Sequence, residues 1–469
     1  MTTPAWVAGK AVTGSTTRAV HHPGDGSLVG TVAVPDAADV ERAVAAAAAV
    51  AKDFRSAPAH LRAAALDHVS AGIKARADEI ADLIVRENGK PLKWAQSETN
   101  RAVSTFRWAA EEARRWSGDL QRLDTDPTAN GRLAVTRRVP YGPVLGIAPF
   151  NFPLNLVAHK VAPALAVGAP IVLKPAPATP LSSLLLGELL AETDLPEGSW
   201  SVLPLDNGAT AELVKDERLP VVSFTGSVPV GWGIRDAVPR KQVVLELGGN
   251  AAVVVTGDYA DLEWAATRVA TFGMYQAGQS CVAVQRVFVA RSVLDAFRGL
   301  LVKAVEGLSA VEDVGPLIDD KAATRVAQWV QEAVDAGATL LTGGGRDGTT
   351  VQPTVLEGAP SGAKVLDEEV FGPVLVLEAF DDLDEAFAKV NDSRFGLQAG
   401  VFTTDVQVAF RAFGELEVGG VVIGDVPSYR ADQMPYGGVK DSGRGREGLR
   451  SAMHDLTEER VMVLTGLTL

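Results

Sequence analysis

The chain has 469 residues, 47% of them hydrophobic and 22% charged, which supplies apolar material for a substantial core and excludes disorder as its main state. It carries 44 basic against 58 acidic side chains, a net charge of −14, and so lacks the electrostatic footprint of a nucleic-acid or anionic-membrane binder. A single cysteine, Cys281, excludes an internal disulfide and a thiol-based metal cluster, and the six histidines show no ligand spacing, so no metal is expected. At roughly 150 residues per domain, the length predicts about three domains or two large ones. No basic segment followed by an apolar core stands at the N-terminus, and the alanine-rich run Ala43–Ala51 is too short to cross a bilayer. The expected location is cytoplasmic.

After residue 35 the chain reads as helical. Asp36 is placed as the N-cap of a helix through Val40, Val44, Ala47 and Ala51. A second periodic stretch runs from about Leu61 to Asn88, closed by Gly89, and a third from about Lys93 to Trp116, closed by Gly118. Each glycine is expected just past the helix end, in the left-handed position. Residues 132–140 alternate like an antiparallel strand. From Gly142 short β-branched runs alternate with helical stretches: Val144–Ala148, Ile171–Lys174, Val202–Leu205, Pro220–Phe224, Val243–Leu247 and Ala251–Val255, with helices such as Leu154–Val167 and Thr179–Ala191 between them. A second series places strands at Arg286–Val289, Ala338–Leu341, Val374–Leu377, Gly400–Phe402 and Gly419–Ile423. Continuous apolar strands with helical crossovers indicate parallel sheets covered on both faces, so the expected class is α/β with two such domains. Arg460–Leu464 reads as an isolated strand whose partner lies elsewhere, for instance in another subunit.

Two stretches satisfy the Gly-x-Gly-x-x-Gly pattern, Gly343–Gly348 and Gly443–Gly448. The pattern holds a pyrophosphate only between a strand and a helix. The first leads into the strand-like Thr349–Val355 and the second follows Pro435–Ser442, which is no strand, so both read as surface turns. Phe224-Thr225-Gly226-Ser227 is the better phosphate candidate, ending a strand and opening a helix with Gly231 one turn in. Ser227 is placed to cap that helix while its N–H faces an anion; an ordinary capped turn is the competing reading.

Three residues carry reactive chemistry. Cys281 stands in the small-residue turn Ala277-Gly278-Gln279-Ser280-Cys281, either as an inert packed thiol or as a usable nucleophile in a loop. Glu246 ends an apolar strand, where burial raises a carboxyl toward the range of a general base and an ion pair would not. Asn151 lies in Pro149-Phe150-Asn151-Phe152-Pro153, where its amide suits a developing oxyanion or, alternatively, caps the helix that follows.

Together with Lys174-Pro175, Glu368-Glu369-Val370-Phe371-Gly372-Pro373 and Pro435-Tyr436-Gly437-Gly438, these segments resemble the aldehyde dehydrogenase superfamily, in the family's order, from about residue 20 to the end. The resemblance implies two doubly wound Rossmann-like domains plus a small β oligomerisation element. Residues 1–120 and 140–245 would bind the cofactor, 246–440 would form the catalytic domain, and 121–139 with 455–469 would join subunits into a homodimer or homotetramer. It implies an NAD(P)-dependent oxidation in which Cys281 attacks an aldehyde, Asn151 and the Cys281 N–H hold the oxyanion, and Glu246 activates water against the thioester. Lys174 and Glu369 would bond the cofactor riboses, Phe371 and Phe150 would flank the nicotinamide, and Gly226, Ser227 and Gly231 would receive the pyrophosphate. A coenzyme A-acylating dehydrogenase, an esterase and a catalytically silent homologue are the rival readings.

Two departures stand out. Pro177 occupies a place where many NAD-preferring members carry an acid, which removes repulsion against a 2′-phosphate and makes NADP plausible. Asp425 replaces a usual asparagine, and the sequence offers no reason. By the same likeness the substrate tunnel is lined by Arg101, Phe152, Asn155, His159, Tyr275, Ser280, Arg430 and Tyr436. Two arginines there imply internal carboxylate partners or an anionic or strongly polar substrate. The segments around His159 and Tyr436 are similar to the branch of lactaldehyde, phosphonoacetaldehyde and non-phosphorylating glyceraldehyde-3-phosphate dehydrogenases. Ser280, where phosphate-handling members often have arginine, weakens the case for a phosphorylated aldehyde and favours a short hydroxylated or carboxylated one.

Overall fold

The computed structural model describes residues 2–468; Leu469, the last residue of the expected oligomerisation element, lies outside them, as does Met1. Its frame is two large sheets. The first has eight strands in the order Gly443–Arg444, Gln242–Glu246, Val221–Thr225, Val144–Ile147, Ile171–Lys174, Trp200–Val202, Ala5–Val7 and Lys10–Val12. The five from Gln242–Glu246 to Trp200–Val202 run parallel, and the flanking strands pair antiparallel. Alternate residues serve opposite faces, as strand geometry requires. Ile171 and Leu173 pack with Leu66, Phe106, Val157 and Leu184 from one helical layer, whereas Val172, Leu145 and Val222 pack with Val44, Ala47 and Leu213 from the other.

The second sheet has seven strands: Thr339–Thr342, Thr354–Glu357, Val374–Phe380, Arg286–Ala290, Ala252–Val255, Gln398–Phe402 and Gly420–Ile423. All run parallel except the edge strand Thr339–Thr342, which the sequence placed among the parallel series and which pairs antiparallel. Val253, Val287 and Val289 face helices 262–274, 294–306 and 320–335, and Val254 and Phe288 face helices 383–391 and 406–415. The chain passes from the first sheet to the second through Leu247–Ala251, so Glu246 sits at the crossing. No described helix is long and apolar enough to cross a membrane.

Several local expectations change. The stretch 61–88 is two helices, Ala59–Ala75 and Ala77–Asn88, broken at Arg76, which leaves the α region (φ −107°, ψ 23°) and pairs with Glu79 and Glu188. Gly89 is left-handed as expected, but Gly118 closes no helix: the helix Leu92–Arg115 ends in an extended Trp116. Gly118 instead lies so close to the strand Leu133–Pro140 that a Cβ would sit 1.6 Å from the Thr136 carbonyl oxygen. Gly443–Gly448 is no surface turn either; Gly443 presses against the Leu245 carbonyl, behind the strand that carries Glu246. Arg460–Leu464 finds its partner within the chain: Thr457–Leu464 pairs antiparallel with Leu133–Pro140, which also pairs with Leu120–Arg122. Its other edge is open, with Val461, Met462 and Val463 each more than half exposed. The unexplained Asp425 holds Arg268 in a two-point ion pair, 2.7 Å to Nε and 2.8 Å to Nη2.

Candidate active site

The loop carrying Cys281 is backbone-strained and tightly tied. After helix Leu262–Met274, Gln276 (φ 41°), Ala277 (φ 57°) and Gly278 (φ 67°) follow one another in the left-handed region, which costs roughly 1–2 kcal/mol for each residue with a Cβ. Gly278 is obligatory, since a Cβ would stand 2.2 Å from the Gly372 carbonyl oxygen. The Gln279 carbonyl accepts from Gln276 Nε2 and from Asn151 Nδ2, each at 3.0 Å, and the Gln279 side chain bridges to Pro316 O and Ile318 N. Such over-determination is what holds strain at a working site.

Asn151 caps nothing. The first amides of the helix Asn155–Val167 are taken by Glu98 Oε1, which accepts from Leu154 N (2.9 Å) and Asn155 N (3.0 Å). Glu98 Oε2 accepts from Lys90 Nζ at 2.5 Å, and Lys90 also donates to the Asn151 carbonyl at 2.7 Å; both side chains of this ion pair are fully buried. One Asn151 amide proton is spent on Gln279, leaving the second free, and Asn151 Oδ1 is buried without a partner.

Glu246 is buried and neither carboxylate oxygen has a hydrogen-bond partner among the described residues, so the ion-paired alternative fails. Burial, then the neighbouring Glu447, push its carboxyl well above the ordinary range, against the pull of Arg430 and Lys160. Glu447 behaves oppositely. Burial opposes its charge too, but Arg430, His159 and Lys160 outweigh it and bring the carboxyl down to about 2. Lys160 is buried on the helix Asn155–Val167 and donates to Thr225 Oγ1 at 2.7 Å and Ser223 Oγ at 3.2 Å. Burial pushes the Cys281 thiol up to about 12; Tyr436, whose Oη lies 2.9 Å from Sγ, lowers it, Glu369 and Glu246 raise it further, and Arg430 lowers it.

Cys281, Glu246 and Asn151 line one cavity of about 650 Å³, and Lys174, Pro177, Gly226, Ser227, Glu369, Phe371 and Phe150 line it with them. Lys174 is 4% exposed and its Nζ has no acceptor among the described residues; burial, then Arg18, bring it down to about 8, with Asp206 opposing. Ser227 is the residue before helix Val228–Ala237 but its side chain does not cap it, so the helix N-terminus opens on the cavity uncapped. Gly231 does not line this cavity; it packs against Leu247, where a Cβ would lie 2.4 Å from Cδ2, while Val230 and Ile234 line it. Glu369 Oε1 accepts from Gly249 N at 3.1 Å, and burial raises its carboxyl to about 7. Phe371, left-handed at φ 46°, meets Phe150 edge-on at 5.9 Å. The volume falls in the usual range for ligand pockets, roughly 300–1,000 Å³. An unpartnered ammonium and an uncapped helix N-terminus on the same cavity fit the phosphates and ribose of a dinucleotide.

Of the expected substrate residues, Arg101, His159 and Arg430 join one polar network with Asp432 and Glu447. Arg101 donates to Asp432 Oδ1 through Nε (3.2 Å) and Nη2 (3.1 Å). His159 Nε2 lies 3.4 Å from the same oxygen and 3.4 Å from Thr105 Oγ1. Arg430 pairs with Glu447 at 2.8 Å and stacks its guanidinium 4.0 Å from the centre of the Tyr436 ring. Tyr275 donates to Ser280 Oγ at 2.6 Å, and Phe152 packs under Lys90 at 4.4 Å. Both arginines therefore have internal carboxylate partners, yet two buried donors remain unsatisfied, Arg430 Nε and Asn155 Nδ2. Asp432, Glu447, Lys160 and Thr105 escaped the sequence reading. The available signal was a lysine in a run of apolar helical residues and an acid inside a glycine pattern.

The profile of the Aldehyde dehydrogenase family matches residues 6–462. The 3-sulfolactaldehyde dehydrogenase of Priestia aryabhattai is 42% identical over 433 residues, 91% of this chain and 90% of that protein. The crystal structure of aldehyde dehydrogenase 21 from Physcomitrella patens, in complex with the reaction product succinate, superposes with a TM-score of 0.96 at 42% identity, covering 99% of this chain and 98% of that one. An NADP-dependent glyceraldehyde-3-phosphate dehydrogenase from Bacillus halodurans C-125, complexed with NADP, gives 0.94 at 33% identity and 99% coverage of both chains. A double α/β frame with a cleft that meets a thiol, together with these matches, makes this an oxidoreductase acting on aldehydes, and the chain belongs to the aldehyde dehydrogenase family.

Proposed function

We propose that the protein oxidises a short polar or anionic aldehyde to the carboxylic acid, with Cys281 as nucleophile and Glu246 as hydrolytic base. The observation that carries the reaction is that Cys281, Glu246 and Asn151 line the same cavity as Lys174, Ser227 and Glu369. Cys281 sulfur forms a bond to the aldehyde carbon while the carbonyl π pair moves onto oxygen. The free Asn151 amide proton and the Cys281 N–H receive that oxyanion. A nicotinamide cofactor, when bound, supplies the hydride acceptor that protein side chains lack, leaving a thioester on Cys281. Glu246, once ionised, takes a proton from the water that attacks the thioester, and its raised pKa matches that role.

The substrate reading rests on the two orphaned donors. Buried unsatisfied donors are costly, and Arg430 Nε and Asn155 Nδ2 favour a substrate that brings acceptor oxygens, such as a carboxylate, sulfonate or hydroxyl group. The substrates or product named for the relatives, a sulfolactaldehyde, succinate and a phosphorylated glyceraldehyde, share that chemistry. Lys174, its cationic neighbour Arg18 and Pro177, which stands where an acid is common, support acceptance of NADP, with Asp206 the nearby acid that opposes it. The test is formation of reduced cofactor with a panel of acidic and neutral short aldehydes, with and without coenzyme A, using NAD and NADP. Acid released without coenzyme A is the expected outcome, and strict coenzyme A dependence rejects hydrolysis. A preference for NAD above about a hundredfold rejects the NADP reading.

A further inference from the structure

Tyr436 does more than line a wall. It is 4% exposed and packs with Val282, Leu397 and Cys281, and its backbone is pinned to Glu447 by hydrogen bonds in both directions. Its phenol oxygen is 2.9 Å from Cys281 Sγ, the one described side chain in hydrogen-bond contact with that sulfur, and Arg430 stacks 4.0 Å from its ring centre. The other charged groups facing the thiol divide: Glu246 and Glu369 oppose a thiolate, and Arg430 favours it.

We propose that Tyr436 is a catalytic residue that donates its phenolic hydrogen bond to the Cys281 thiolate, with Arg430 on its ring face as the positioning residue that strengthens the donor. The proposal rests on Cys281 as the nucleophile. The thiol proton leaves to solvent water and Tyr436 keeps its own proton. When the sulfur lone pair forms the S–C bond, charge passes to the carbonyl oxygen and the short O–H···S⁻ contact relaxes. A cation over an aromatic face withdraws electron density from the phenol, and hydrogen bonds to ionised acceptors are about twice as strong as neutral ones. Stabilising a thiolate also lowers its intrinsic reactivity, but only with a slope of about 0.4–0.5, so the larger thiolate population wins.

Cys281 is the sole cysteine, so alkylation of the cofactor-free protein reads this thiol without any turnover. Tyr436→Phe is expected to slow iodoacetamide labelling roughly 3- to 10-fold between about pH 7 and 9. The slowing should be equal with methyl methanethiosulfonate, which separates ionisation from access. Equal or faster labelling of the variant overturns the proposal. Arg430→Lys keeps the charge for Glu447 but loses the planar stack, and should slow labelling by a smaller factor; it carries the test if Tyr436→Phe does not fold. Should Cys281→Ala retain dehydrogenase turnover while labelling behaves as expected, the nucleophile assignment fails and the thiol–phenol contact stands.

Discussion

The two sides of Cys281 are built differently. The cofactor side is made of strand ends, a helix N-terminus and close-approaching backbone, with few charges and an open cavity. The side proposed for the aldehyde is a closed lattice of side chains, Arg101, Asp432, His159, Arg430, Glu447 and Lys160, drawn from elements far apart in the chain. A side-chain lattice sets charge, and two carboxylates in one buried setting come out opposite: Glu246 is driven toward its neutral form and Glu447 toward its ionised one. Proximity of Arg430 decides between them.

The contrast can be broken where both sides meet. Cys281→Ala should lower kcat by at least about 10⁴-fold in the reduced-cofactor assay, and residual turnover above that places the chemistry elsewhere. Glu246→Gln should lower steady-state turnover about 10²- to 10⁴-fold while a single burst of reduced cofactor survives in stopped flow. Loss of the burst as well would give Glu246 an earlier role. Because the folded Glu246 pKa is raised, deacylation should climb as pH passes upward through it. Stability has the opposite slope: the unfolded carboxyl ionises near 4.5 and the folded one later, so wild-type stability falls as pH rises between the two values, and Glu246→Gln should flatten that fall in thermal unfolding.

Arg101→Ala sharpens the aldehyde side. It should cut kcat/KM about 10- to 100-fold for acidic aldehydes and leave neutral ones within a few-fold, since charged hydrogen bonds contribute roughly 1.5–3 kcal/mol. A uniform loss shows that Arg101 only neutralises Asp432. The smallest effect belongs to the cofactor side: Lys174→Met should raise the KM for NADP about tenfold more than that for NAD, measured in steady state. Equal increases would remove Lys174 from 2′-phosphate recognition.

Much of the frame was legible before folding. Ile171–Lys174 is predicted and observed with the same bounds, and most other core strands shift by a residue or two, because a run buried on both faces must be apolar throughout; Val202–Leu205 is observed as Trp200–Val202 and Val374–Leu377 runs on to Phe380. Cys281, Glu246 and Asn151 stood out because each breaks a small-residue or apolar context. Lys90 with Glu98, and Arg101 with Asp432, were illegible: the second pair is separated by 331 positions, and nothing in local sequence matches one to the other. The break at Arg76 and the role of Gly118 failed for a related reason, since each answers a neighbour outside its own helix.

The sequence by itself determined the parallel sheets and singled out the candidate reactive side chains, because apolar period and turn chemistry act over a few residues. Which carboxylate is neutral, which arginine is paired and which donors are left open were decided only by the tertiary structure. Those properties depend on burial and on charges a few ångströms away, and folding brings them from opposite ends of the chain.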